Sequence, residues 1–154
     1  MGERDTGETM DYSFFGWQTA DLPAVTTEYK GIRTPRDLYD ALSEVWCRET
    51  CAARMRMRWT KDNMTLGQCS ITAFLAQDVF GGDVYGVPLE DGNFHCFNNV
   101  DGHIFDLTSE QFGDTVLDYS TGVLQSRDAH FSKDDKKERY ELLKNRLKQR
   151  IHHR

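Results

Sequence analysis

The sequence predicts an α+β domain in which a cysteine-bearing helix packs on a small antiparallel sheet, with flanking helices towards the N-terminus and at the C-terminus. Three observations carry this. Residues 68–80 place Ile71, Phe74, Leu75 and Val79 on one helical stripe, closed by Gly81-Gly82. Residues 83–108 then read as three strand-like runs, the last two joined by Asp101-Gly102, a strong two-residue hairpin signal. On either side lie two further apolar stripes at helical spacing, Leu38/Leu42/Val45/Trp46 and Tyr140/Leu143/Leu147/Ile151.

The 154 residues suit one domain with one core, and 38% hydrophobic with 29% charged residues marks a folded chain. Residues 1–10 read as a disordered start and 11–154 as a single domain. The net charge of −6 argues against a dedicated nucleic-acid binder, which usually presents a basic face. No stretch is long and apolar enough to span a membrane, and the polar opening carries no secretory signal. The expected location is therefore the cytoplasm, and Cys47, Cys51, Cys69 and Cys96 are expected as free thiols. No residue pattern calls for a cofactor, and the oligomeric state is not legible.

In chain order, the aromatic burst Tyr12-Ser13-Phe14-Phe15-Gly16-Trp17 is expected to pack onto the domain, and 21–31 reads as a loop. Thr34-Pro35 has the form of a helix start, a capping threonine before a proline at the first helical position. That helix is drawn towards Trp59, although the alternating Arg54-Met55-Arg56-Met57-Arg58 fits a helix end or a short strand equally well. Its three arginines read as a solvated rim rather than as contacts to an acidic substrate. After a polar loop over 60–66 comes the cysteine helix, followed by strands at 83–89, 93–100 and 103–108. Residues 109–127 read as a loop with a short strand or helix. The last helix is expected to start after Ser132, with Asp135 completing a capping box. From 133 onwards nine Lys/Arg outnumber four Asp/Glu, which reads as the solvated face of an amphipathic helix.

The hairpin supplies a geometric test. A two-residue turn at Asp101-Gly102 sets Val100 opposite His103, Phe97 opposite Asp106 and His95 opposite Thr108. Side chains alternate between faces, so His95, Phe97, Ile104 and Asp106 share one face, with His95 and Asp106 diagonal neighbours. Phe94, Cys96, Phe105 and Leu107 fall on the other, apolar face, and Asn98 and His103 go with them.

These positions suit nucleophilic chemistry. Cys69 opens a helix, whose N-terminus carries about half a positive charge and favours a thiolate. His95 would take the thiol proton and return it to a leaving group. Asp106 would hold the imidazole tautomer and support its charged form. The Cys69 backbone N–H, with the Gln68 side chain or a nearby amide, would stabilise an oxyanion. Taken singly, the three residues have plainer readings: an inert buried cysteine, a satisfied structural histidine and a strand-end cap.

The stretch Gly67-Gln68-Cys69 opening a helix resembles the active-site helix of transglutaminase-like proteins in the papain-like cysteine superfamily, and the order of a His strand followed by an Asp strand is similar. More narrowly, Gly67-Gln68-Cys69-Ser70, Gln77-Asp78-Val79-Phe80-Gly81-Gly82, the run from His95 to Asn98, and Asp106-Leu107-Thr108-Ser109-Glu110-Gln111-Phe112 resemble the YunG-like family of small bacterial proteins. The resemblance implies a papain-like fold with Cys69 as nucleophile, His95 as base and Asp106 as orienter, and Gln68, Ser70 and Phe97 around the oxyanion and substrate. Ser70 stands where transglutaminases usually have tryptophan, which departs from their acceptor chemistry. Phe97 stands where a tryptophan is expected in the YunG-like pattern, a change in the site wall.

The expected activity is cysteine-dependent acyl transfer of amidase or peptidase type on a small amide-containing or peptide substrate, through a thioester. The competing expectation is a non-catalytic binding module on the same fold. A metal site is a third reading, since Cys47 and Cys51 lie four apart and Cys69, Cys96 or His95 could join them, but the spacing matches no standard zinc pattern.

Overall fold

The computed structural model describes residues 12–152; the expected disordered start at 1–10 lies outside the described residues. Helix α1 spans Pro35–Leu42 and helix α2 Cys69–Phe80. Strands β1 (Asp83–Pro88), β2 (Phe94–Val100) and β3 (His103–Phe105) follow, then a two-residue β4 (Val123–Leu124), a short α3 (Arg127–Phe131) and α4 (Asp134–His152). The sheet is four-stranded and antiparallel, in the order β3-β2-β1-β4. The α+β class and the small antiparallel sheet are as the sequence predicts.

The helix starts and stops follow from local chemistry. Thr34 accepts a hydrogen bond from the Asp37 amide while the Asp37 carboxylate accepts from the Thr34 amide, a complete capping box behind Pro35 at the first helical position. Helix α1 ends at Leu42 rather than running on towards Trp59; the chain continues as short 3₁₀ segments at Arg48–Thr50 and Ala53–Arg58. The Arg54–Arg58 alternation is thus neither strand nor α-helix. Arg56 is tied to the Cys51 carbonyl and Arg54 to Asp91. At the other end, Ser132 closes α3 by donating to the Ala129 carbonyl, and Asp135 pairs with Arg139. The expected Ser132–Asp135 box is replaced by these two contacts.

Helix α2 is the centre of the core. Ser70 to Ala76, Val79 and Phe80 are all buried, so the helix is covered on nearly every side, as an apolar helix between two layers must be. Below it lies one face of the sheet, with Val84, Cys96, Val100, Phe105 and Leu107; around it lie Leu38 and Leu42 of α1 and Tyr140, Leu143, Leu147 and Ile151 of α4. Buried Asn98 donates to the Ala73 carbonyl at 2.8 Å, a polar tie between sheet and helix. The basic residues of α4 are partly engaged with the body of the domain. Arg139, 6% exposed, donates to the Thr50 carbonyl, Arg146 donates to the Val45 carbonyl, and Arg150 pairs with Glu44.

The opposite face of the sheet carries a smaller cluster of Val87, Phe97 and Tyr119 with Tyr85 and Ile104. The expected partition of faces is therefore observed, with one correction: Phe94 is 39% exposed, because α2 begins at Cys69 and does not extend over the start of β2. Asp101 and Gly102 both have positive φ, 53° and 84°, and Val100 pairs with His103, so the two-residue turn is in the expected register.

The returning strand is shorter than its expected 103–108 span. Pairing stops at Asn98–Phe105, and the Asp106 amide donates to the Phe15 carbonyl at 3.0 Å. Residues 12–17 thereby form a strap along the outside of β3, with Phe14 fully buried against Tyr12 and Tyr39, as expected for the aromatic burst. The strap needs Gly16, whose φ is +86° and whose hypothetical Cβ would collide with the Ile104 carbonyl oxygen and lie 3.0 Å from Phe105 Cα. Gly16→Ala is expected to lower stability by more than about 1 kcal/mol, as read by urea denaturation; an unchanged midpoint would mean the strap does not dock against β3.

Candidate functional site

The site forms where β2 loses its neighbour. Because β3 pairs only as far as Asn98, the edge of β2 from Phe94 to Phe97 is left open on that side. The Asn93 carbonyl points towards β1, where it accepts from Leu89, so by strand alternation the Phe94 carbonyl points out of the open edge. Cys69, the first residue of α2, meets it there, with Sγ 3.9 Å from Phe94 O. The next two residues of β2, His95 and Cys96, belong to opposite faces, and both act on the thiol electrostatically.

His95 and Asp106 are both 1% exposed and joined by a 2.7 Å contact from Nε2 to Oδ2. The diagonal pairing expected from the hairpin is what brings them together. With Nε2 committed to the carboxylate, Nδ1 is the nitrogen left to Cys69. Asp106 is anchored on both oxygens. Tyr119 donates its hydroxyl to Oδ2 at 2.7 Å, while the amide and hydroxyl of Thr108 donate to Oδ1 at 3.1 and 3.3 Å. The amide contact two residues on is an Asx-turn, and it is the local reason that the strand ends where it does. The Phe112 ring closes the other side of the imidazole, edge-on with centroids 4.7 Å apart.

The electrostatics favour a charge-separated pair. Burial alone would lower the His95 pKa, but the Asp106 charge and hydrogen bond, with those of Cys69, raise it to about 10. The Cys69 thiol is pushed well below its usual range by a hydrogen bond from the Cys96 thiol and by the hydrogen bond and charge of His95, against the opposing effect of burial. Cys96 moves the other way, raised well above the usual range by the Cys69 thiolate it donates to and by burial. At neutral pH the favoured state is therefore a Cys69 thiolate beside a His95 imidazolium, with Cys96 a neutral thiol.

The remaining expected site residues are placed as follows. Gln68 is fully buried, and its amide nitrogen donates to the Cys47 carbonyl at 3.1 Å, which ties down the loop before α2. Ser70 is buried in the first turn of α2 at 7% exposure. Phe97 is 2% exposed, packed edge-on against Tyr119 at 4.9 Å, so it forms the floor beneath the site rather than an open wall. Among the described residues, no group of three or more His, Cys, Asp or Glu side chains is arranged to hold a metal ion, and Cys47 and Cys51 stand apart as free thiols. Likewise, no described helix is long and apolar enough to cross a membrane.

Several participants were not legible beforehand. Tyr119 lies in the stretch read as a loop and has no sequence signal that links it to Asp106. Cys96 lies on the core face, as the register predicts, and its influence on Cys69 has no signal in the sequence. On that side, Lys136 of α4 contacts His130 Nδ1 at 2.8 Å, and His130 Nε2 contacts Gln125 Oε1 at 2.8 Å. Burial and the Lys136 charge lower the His130 pKa to about 4, so this imidazole is neutral and donates from Nε2.

Comparison with known proteins gives the lineage. A family model described as YunG protein matches residues 34–152. The chain belongs to the YunG family. It is 31% identical over 103 residues to the protein described as "Uncharacterized protein YunG" of Bacillus subtilis (strain 168), covering 67% of this chain and 82% of that one. No solved structure matches. The matched region contains α1 through α4 and all three of Cys69, His95 and Asp106, whereas the strap at 12–17 precedes it.

Tyr119→Phe leaves the ring packing in place and removes one donor from a buried carboxylate. It is expected to cost about 1.5–3 kcal/mol, the range for a hydrogen bond to a charged group, measured by urea denaturation. A loss below about 0.5 kcal/mol would mean that Asp106 does not depend on this contact.

Proposed function

We propose that the chain is a cysteine-dependent acyl-transfer enzyme of amidase or peptidase type, acting on a small amide-containing or peptide substrate. The observation that carries the reading is the ordered contact of Asp106 with His95 Nε2, which leaves Nδ1 for a thiol at the first residue of a helix. The likeness of this arrangement to papain-like and transglutaminase-like enzymes, in which a cysteine helix packs on an antiparallel sheet bearing histidine, adds to it. Free thiols fit a reducing compartment, and the cytoplasm is the setting we attach to the activity.

In this scheme the Cys69 thiolate attacks the substrate carbonyl carbon and the carbonyl electrons move to oxygen. The Cys69 N–H, one of the amides that helix geometry leaves without an intrahelical acceptor, is available to that oxyanion. As the tetrahedral intermediate collapses, the His95 imidazolium gives its Nδ1 proton to the departing amine, leaving a thioester. Neutral His95 then takes a proton from water as it attacks the thioester, and the acid departs with the thiolate and imidazolium restored. Asp106 keeps the ring in the one tautomer and orientation that serve both steps, and Tyr119 and Thr108 keep Asp106 in place.

The test is alkylation with iodoacetamide across pH, with the modified cysteine mapped by mass spectrometry. The wild-type Cys69 is expected to react first and to retain its reactivity as pH falls well below about 8.5, the free-thiol value. His95→Ala should move that reactivity back up in pH, because removing the imidazolium removes the stabilising charge. Cys69→Ala should abolish thioester trapping with an activated acyl substrate. A Cys69 that is unreactive, or that titrates as a free thiol in both proteins, would reject the catalytic reading in favour of a binding module.

A further inference from the structure

The strap that offers the Phe15 carbonyl to Asp106 also walls a cavity for which the acyl-transfer scheme has no use. A space of about 310 Å³ lies between the strap and the loop that follows Thr108. That is the lower end of the size of small-molecule sites, about 300–1,000 Å³. Phe15 and Tyr119 form an aromatic wall, with ring centroids 4.2 Å apart and planes inclined by 31°. Val116, 72% exposed, adds an apolar lip, and Glu110 and Asp114 bring two carboxylates.

The wall is preformed. Both main-chain groups of Phe15 are committed, the amide donating to Ser109 Oγ at 2.9 Å and the carbonyl accepting from the Asp106 amide at 3.0 Å. Its ring nonetheless stays 37% exposed. Two large apolar side chains held in water at one cavity gain by being covered. The charge is one-sided. Glu110 is fixed by the Tyr39 hydroxyl, which donates to Oε1 and leaves Oε2 for a ligand. No lysine, arginine or histidine among the described residues lines the cavity. Two negative charges beside an aromatic wall, with no cation in the lining to neutralise them, select a positively charged ligand.

We propose that this cavity binds a small organic ammonium ion with an apolar body, on the Asp106 side of the triad and apart from the thiol. The ammonium pairs with Glu110 and Asp114, while the apolar body covers Phe15, Tyr119 and Val116. The occupant is not the acyl substrate, since neither Cys69 nor His95 lines the cavity. It meets the triad from behind, through Tyr119, whose hydroxyl donates to Asp106 Oδ2 at 2.7 Å, and through Phe15. The site stands whether or not Cys69 is a nucleophile.

The experiment titrates the isotope-labelled full chain and follows its amide shifts by NMR. Three probes of similar shape are compared: phenethylamine, a cation at neutral pH, phenylethanol, which is neutral, and phenylpropanoate, an anion. Phenethylamine is expected to give saturable shifts confined to residues 13–16 and 109–119. Phenylethanol should bind about fivefold more weakly, the scale of an exposed charge pair, and phenylpropanoate more weakly again. Asp114→Asn, at an exposed position, should cut the affinity for phenethylamine about fivefold and leave that for phenylethanol unchanged. Phe15→Leu, which keeps the main-chain bonds of the strap, should weaken both. Absence of saturation with phenethylamine, equal affinity for the three probes, or saturable shifts only elsewhere on the chain would overturn the site.

Discussion

A buried carboxylate must be surrounded by donors, and Asp106 meets that demand with donors from three places in the fold. His95 comes from β2, Tyr119 from the connection before β4, and the Thr108 amide and hydroxyl from the next turn. Its own amide is taken by Phe15 of the N-terminal strap. An unpaired charge at this depth would cost several kcal/mol, so these elements are obliged to converge. The convergence ends β3 early, and the early end of β3 is what exposes the edge of β2 to the cysteine helix. The site is thus a consequence of satisfying one carboxylate.

The same geometry explains why the imidazole and the second thiol both act on Cys69. Alternation along a strand would keep His95 and Cys96 apart, and within a fully paired sheet they would stay apart. At an unpaired edge a side chain arriving from outside feels both. Helix α2 supplies that side chain because its buried flank fixes its axis over the sheet, with Cys69 at the end nearest the opening. The charge distribution follows: a carboxylate behind the imidazole raises the histidine, and a charged histidine with a neutral donor thiol lowers the cysteine.

Much of this was legible because it depended on local rules. The Thr34-Pro35 start, the Gly81-Gly82 stop and the Asp101-Gly102 turn are each dictated by residues within a few positions of one another. The turn fixed the register, and the register placed His95 and Asp106 on one face. What could not be read depended on distant partners. Helix α1 was drawn too long because Cys47 to Arg58 has helical composition but is pinned as 3₁₀ turns by bonds to its surroundings, such as Arg56 to Cys51 and Arg48 to Trp59. Tyr119 and Phe15 carry no periodic signal at all; their roles come from where the chain returns. The tie from the Gln68 amide nitrogen to the Cys47 carbonyl, twenty-one positions away, likewise has no local signal.

The strap at residues 12–17 precedes the region that the family model matches, yet it takes the backbone amide of a residue at the heart of the site. The site therefore has two parentages within one chain: side chains from the shared family region, and one main-chain acceptor from outside it. Without the strap the Asp106 amide would need another acceptor, a loop, a neighbouring molecule or solvent. The rim of the site next to Asp106 is accordingly shaped by a segment that lies outside the family match.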